Sequence, residues 1–200
     1  MKRILEVSGL VAGVAMIAIG IVAIVLGVSG RGTVIDSIKQ EKITGSADMT
    51  PTAIREAGKA AGLPDSTEYP NCSVAGKPVN SGDRARCFAE YMRIHALEAT
   101  GGKVYSELGR YVTADGKDTN DSEAAAKNPD TGRPVENGLR NLWITETALA
   151  TALNTSYLAE QISIFGIVVG VALLLAGIGF MILAWYTLGG PLLRRKAEAA

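Results

Sequence analysis

The chain has 200 residues, 48% of them apolar, and its 20 basic and 20 acidic side chains cancel. The segment between the two apolar runs, residues 31–160, is mildly acidic, which is not the charge of a nucleic-acid binder, and one histidine with two cysteines is too few ligands for a closed zinc site or a multi-histidine centre within one chain. The averages conceal a segregated chain: residues 7–30 and 161–193 are uncharged runs of 24 and 33 positions, and nearly all the charge lies between them.

Residues 1–6, with Lys2 and Arg3, read as a cytoplasmic N-terminus, and residues 7–30 as the first transmembrane helix. At 1.5 Å per residue that run makes a helix of roughly 36 Å, against a hydrocarbon core of about 30 Å. Gly27, Ser29 and Gly30 would suit signal cleavage, but a cleaved signal has an apolar region of only about 7 to 15 residues, so an uncleaved anchor is the stronger reading. If cleavage did occur, the second apolar run would still anchor the protein.

Residues 31–160 read as an extracytoplasmic domain, with 15 basic and 18 acidic side chains. The first helix is expected to continue past Arg31 and break near Gly45, and Pro51 to begin a short helix ending near Gly62. Leu63 to Gly82 holds three prolines and reads as a loop carrying Cys72. Asp83 is the expected N-cap of a helix running to Thr100, with Phe88, Tyr91, Met92 and His95 on one face and Gly101 and Gly102 as its stop. Cys87 falls in the first turns of that helix, and a Cys72–Cys87 disulfide is expected in an oxidising compartment, stabilising the domain by about 3 kcal/mol in the chain-entropy model.

A short helical patch is expected at Val104 to Leu108, and then residues 113–138 are polar throughout, the pattern of a surface loop or mobile excursion. Asp115, Asp118, Asp121 and Glu123 lack the alternation and the closing Glu of an EF-hand loop. From Asn137 a helical pattern of Leu139, Leu142, Trp143, Leu149, Leu153 and Tyr157 leads without a breaker into the second span, and this stripe must pack on something, the helix around His95 being the nearest candidate in the chain and a partner protein the alternative. The second transmembrane helix is assigned to residues 161–188, its membrane part beginning near Ile162. Trp185 and Tyr186 fall at an interface, Gly189, Gly190 and Pro191 end the helix, and residues 189–200 form a cytoplasmic tail. Arg194, Arg195 and Lys196 match Lys2 and Arg3, so both termini are read as cytoplasmic.

Gly9 with Gly13 and Gly166 with Gly170 give small-xxx-small spacings suited to close helix approach, within the chain or between copies. No ionisable residue lies inside either span, which disfavours a transporter or channel component unless several copies line a pore. His95, on the apolar side of its helix, is more readily a packed structural residue than a catalyst.

The stretch from Ile94 to Leu108, IHALEATGGKVYSEL, resembles a family of small actinobacterial two-span membrane proteins, many of which carry the description aromatic ring-opening dioxygenase LigA. The resemblance rests on His95, Glu98, Gly101, Gly102 and Tyr105, and extends to the first span and to residues 143–180. It leaves out the cysteine loop and the Asp-rich insert. It implies an actinobacterial cell-envelope protein. Extradiol ring cleavage uses iron held by two histidines and a carboxylate, which one histidine cannot build unless another subunit carries the metal.

The expected fold is mainly α, two transmembrane helices flanking an extracytoplasmic helical domain with long loops. The expected function is that of a multi-pass plasma-membrane protein, a non-catalytic structural or interaction subunit without cofactor. Its partners would be the lipid bilayer and a second copy or another envelope protein, not nucleic acid. The alternatives are a membrane-tethered enzyme or enzyme subunit using His95, Glu98 and Tyr105, and a component of a transporter complex.

Overall fold

A computed structural model describes residues 2–197. The chain is mainly helical, in the order α1 (Lys2–Gln40), α2 (Pro51–Ala60), α3 (Gly82–Thr100), a 3-10 turn (Tyr105–Glu107), β1 (Tyr111–Val112), β2 (Asp118–Thr119) and α4 (Gly138–Ala197). It divides into two compact units, one formed by Met1–Val34 and Ala159–Ala200, the other by Ile35–Leu158.

The first unit is an antiparallel pair made by the apolar parts of α1 and α4, both long and apolar enough to cross a membrane. Its side chains are arranged inside out relative to a soluble protein. Ile19, Val25, Leu26, Phe165, Val168 and Leu175 are exposed, while the seam is made of glycines. A methyl carbon at Gly13 would lie 3.0 Å from the carbonyl oxygen of Gly177, one at Gly20 2.7 Å from that of Gly170, and one at Gly27 2.7 Å from that of Ser163. Gly170 and Gly177 meet the carbonyls of Gly20 and Gly13 in return, each at 2.7 Å. Small residues thus recur every seventh position on both helices, and at the glycines the backbones approach too closely for any side chain. Beside this ladder Arg31 pairs with the buried Glu160 at 2.9 Å.

The second unit has its own core. Thr50 caps α2 by accepting the Ala53 N–H, and Pro51 occupies the first turn, where its missing N–H costs nothing. Ile54 and Gly58 form the buried face of α2, and Ala85, Phe88, Tyr91 and Ile94 lie on that of α3. Trp143 of α4, 2% exposed, joins Ala96 and Leu108 in one cluster with Leu97 and Val104 packed against it. Its indole N–H donates to the Lys103 carbonyl at 2.9 Å, satisfying the polar end of a buried ring. The stripe from Asn137 therefore does bury Trp143 and Leu153, although Leu139 and Leu142 of the same pattern are exposed.

Several expectations are corrected. The cap of α3 is Ser81, not Asp83: Ser81 is extended and its hydroxyl accepts the Arg84 N–H, while Asp83 sits in the first turn, where its charge complements the helix dipole. α1 ends at Gln40, short of Gly45, because the backbone of the next segment bonds elsewhere: Gly45 N–H to Lys77 O at 3.0 Å and Val79 N–H to Ile43 O at 2.8 Å.

The polar insert is not a bare loop. Tyr111 pairs with Thr119 and Val112 with Asp118 in an antiparallel ladder, and Asn137 holds it from behind, its amide donating to Gly109 O at 3.0 Å and to Asp118 at 2.9 Å. Last, α4 runs through Gly189, Gly190 and Pro191 to Ala197. A proline in a helix interior costs about 3 kcal/mol and each glycine about 1 kcal/mol, a local penalty that the helix carries here rather than ending.

Candidate functional site

Cys72 and Cys87 are joined in a disulfide with Cα atoms 6.1 Å apart. The bridge pins the 63–81 loop to α3, and two further contacts hold the loop near it. Tyr91 donates its hydroxyl to the Cys72 carbonyl at 2.7 Å, and Arg55 donates to the Asn71 side chain at 2.9 Å. Tyr69 lies on α2 so closely that a methyl at Gly58 would fall 2.3 Å from its phenol oxygen. A segment rich in Pro, Ser and Asn, which has little reason to order alone, is thereby fixed at Tyr69, Asn71 and Cys72.

This loop and α3 enclose an open cleft of about 930 Å³, closed on another side by Tyr157. Ile94 and Leu97 give it apolar surface, and five charged residues line it: Glu68, Asp83, Arg86, Glu90 and Arg93. Arg86 and Glu90 are paired at 3.3 Å, with the Arg86 guanidinium 5.0 Å from the Tyr157 ring centre. The Arg93 guanidinium stacks over Trp143 at 5.4 Å and has no carboxylate in salt-bridge range among the described residues. Near Arg93 lies Glu146, 4% exposed. Burial pushes its carboxyl above the usual range, opposed by a hydrogen bond from Thr147 and by the charge of Arg93.

The residues that carry the family resemblance sit in two arrangements. Gly101 and Gly102 end α3: both have positive φ, 63° and 82°, and Gly102 N–H bonds back to Leu97 O at 2.8 Å, the six-to-one bond of a Schellman turn that an L side chain would strain. Thr100 locks the turn, its hydroxyl 2.6 Å from the Lys103 carbonyl. The ATGG signature is thus a helix stop that delivers Lys103 to Trp143.

His95 forms the other group. Its Nδ1 lies 3.0 Å from Glu98 and its Nε2 3.5 Å from Asp48. The Asp48 carboxyl is held below the usual range, chiefly by the Ser46 hydroxyl and to a lesser degree by His95. Tyr105 is 42% exposed, with the Arg140 guanidinium 4.2 Å from its ring centre. None of His95, Glu98 and Tyr105 lines the cleft, and among the described residues no group of three or more His, Cys, Asp or Glu is placed to hold a metal.

Of the four span glycines singled out by four-residue spacing, Gly13 and Gly170 lie in the seam, Gly166 is in ordinary contact with Ala23 at 3.8 Å, and Gly9 has nothing within 4 Å. The signal that finds the seam is a period of seven: Gly13, Gly20 and Gly27 against Ser163, Gly170 and Gly177. No protein-family model, curated protein or solved structure matches this chain.

Proposed function

We propose that the chain is an integral protein of the cell membrane that displays residues 31–160 outside the cytoplasm as a docking domain, acting by interaction rather than catalysis. The observation that carries this reading is the inside-out packing of the apolar helix pair. Helices that spend their glycines on each other and turn Ile, Val, Leu and Phe outward are matched to lipid and mismatched to water. Lys2, Arg3, Arg194, Arg195 and Lys196 beyond the outer ends of the spans favour cytoplasmic termini, and the Cys72–Cys87 bond favours an oxidising location for the segment between them.

A docking role suits a domain whose disulfide, tyrosine anchors and capped helix fix a cleft in place. The resemblance to small actinobacterial envelope proteins agrees with this location. The enzyme alternative would have to use His95 and Glu98, which are tied to each other and to Asp48 away from the cleft.

A membrane-impermeant thiol reagent on intact cells tests the topology. Labelling of Cys72 and Cys87 only after reduction is the expected result, and labelling only after lysis would overturn the orientation. Crosslinking in cells tests the docking role, which would be refuted by a protein recovered only as a monodisperse monomer without any crosslinked neighbour.

A further inference from the structure

The cleft beside the disulfide contains charges that the chain leaves open. Arg86 and Glu90 answer each other at its centre. Toward its two ends they are flanked by groups without an ion-pair partner among the described residues: Arg93 on one side, Asp83 on the other, with Glu68 across on the loop. Arg93 has its guanidinium over the Trp143 ring, 5.4 Å from the ring centre, a cation–π contact that restricts its position before any ligand arrives, and its fork can grip a carboxylate bidentately. Tyr69 and Tyr157 supply aromatic walls, and the rim is anchored by the disulfide, so little ordering entropy remains to be lost on binding.

From these features we propose that the cleft binds an extended peptide segment that carries one basic and one acidic side chain. The inference rests on the docking role and names its site and the chemistry of its partner. Asp83 and Arg93 are ten residues apart on α3, a separation of about 15 Å at 1.5 Å per residue. An extended strand covers that distance in about four to five residues, which fixes the spacing of the two charges. The volume of about 930 Å³ is at the upper end of the range for enclosed ligands of this size. A neutral glycan would leave Arg93, Asp83 and Glu68 without counter-charges; an amphoteric peptide meets all three.

The test uses the full-length protein in nanodiscs, probed with a bead-displayed library of random octapeptides and, separately, with an N-acetylglucosamine tetramer. The expected result is enrichment of peptides with a Lys or Arg and an Asp or Glu about four residues apart. Arg93→Gln should then lose the acidic preference and Asp83→Asn with Glu68→Gln the basic one, each binding selected peptides about tenfold more weakly, while Arg93→Lys keeps part of the acidic preference.

An intact disulfide and unchanged thermal midpoint in each variant separate this from misfolding. No enrichment over empty nanodiscs, or enrichment indifferent to these variants, would overturn the proposal, and binding of the sugar alone would reassign the cleft to glycans. If crosslinking in cells persists in the triple variant, the docking role stands on another face and only the cleft assignment fails; if the wild type crosslinks to nothing, the docking role itself fails.

Discussion

Replacing Gly20 by alanine tests the helix seam most directly. The new methyl would lie 2.7 Å from the Gly170 carbonyl oxygen and 2.9 Å from the Leu174 nitrogen, both backbone atoms that cannot swing aside, so the helices must part by about 0.7 Å to reach the 3.4 Å of ordinary contact. A gap of 0.5–1 Å forfeits about a quarter to a half of each dispersion contact along the seam. Overpacking of this kind costs about 1–3 kcal/mol.

The control is Gly9→Ala, where nothing lies within 4 Å and the change should be neutral or slightly stabilising through helix propensity. Denaturation by SDS in mixed micelles, read by pulse proteolysis, should show a lower midpoint for Gly20→Ala only. Gly170→Ala should match it, because its methyl meets the Gly20 carbonyl at the same 2.7 Å. The double variant should cost less than the sum, since one separation relieves both clashes. Equal midpoints for Gly20→Ala and Gly9→Ala would refute the close seam.

Trp143→Ala should destabilise the second unit by about 3–5 kcal/mol, since it empties a buried site and removes the indole hydrogen bond to the Lys103 carbonyl, and chemical denaturation followed by circular dichroism would check it. Glu146 has a carboxyl pKa raised by burial, so it contributes stability below its ordinary pKa and loses it as pH rises through the raised value. Glu146→Gln should therefore raise the thermal midpoint at neutral pH, with the gain vanishing near pH 4; a gain independent of pH would refute the burial argument. Serine at both Cys72 and Cys87 should lower stability by about 3 kcal/mol, seen as a reduced thermal midpoint without loss of the apolar helix pair.

Most of the helical framework was legible because it is written in strong local signals. Two uncharged runs mark the long apolar helices, Pro51 opens α2, and Gly101 with Gly102 closes α3. The cysteine pair was legible from compartment logic alone. Ser81 was missed because two oxygen-bearing residues stood close together and only backbone geometry decides which accepts the Arg84 N–H.

The ordered insert was missed for a different reason. Its ladder is held by Asn137 and by turns around Thr113 and Asn128, polar bonds that leave no apolar periodicity to read. The glycine seam was missed because a four-residue spacing does not reveal a contact that these two antiparallel helices repeat every seven residues. Nothing in the sequence marks Glu146, a charged residue on the buried side of α4, or brings Arg93 and Glu68 to one cleft, since both depend on long-range packing.

The seven-residue ladder has a consequence for assembly of the pair. A seam whose marks repeat could engage at more than one setting, displaced by one interval of about 10.5 Å, and each setting would seat most of the glycines. Arg31 and Glu160 occur once. A slip by one interval would carry Glu160 away from Arg31 at the place where the chain leaves the apolar region. The glycines therefore act as the teeth of a rack and the ion pair as its single detent, so that closeness is set by one feature and alignment by another.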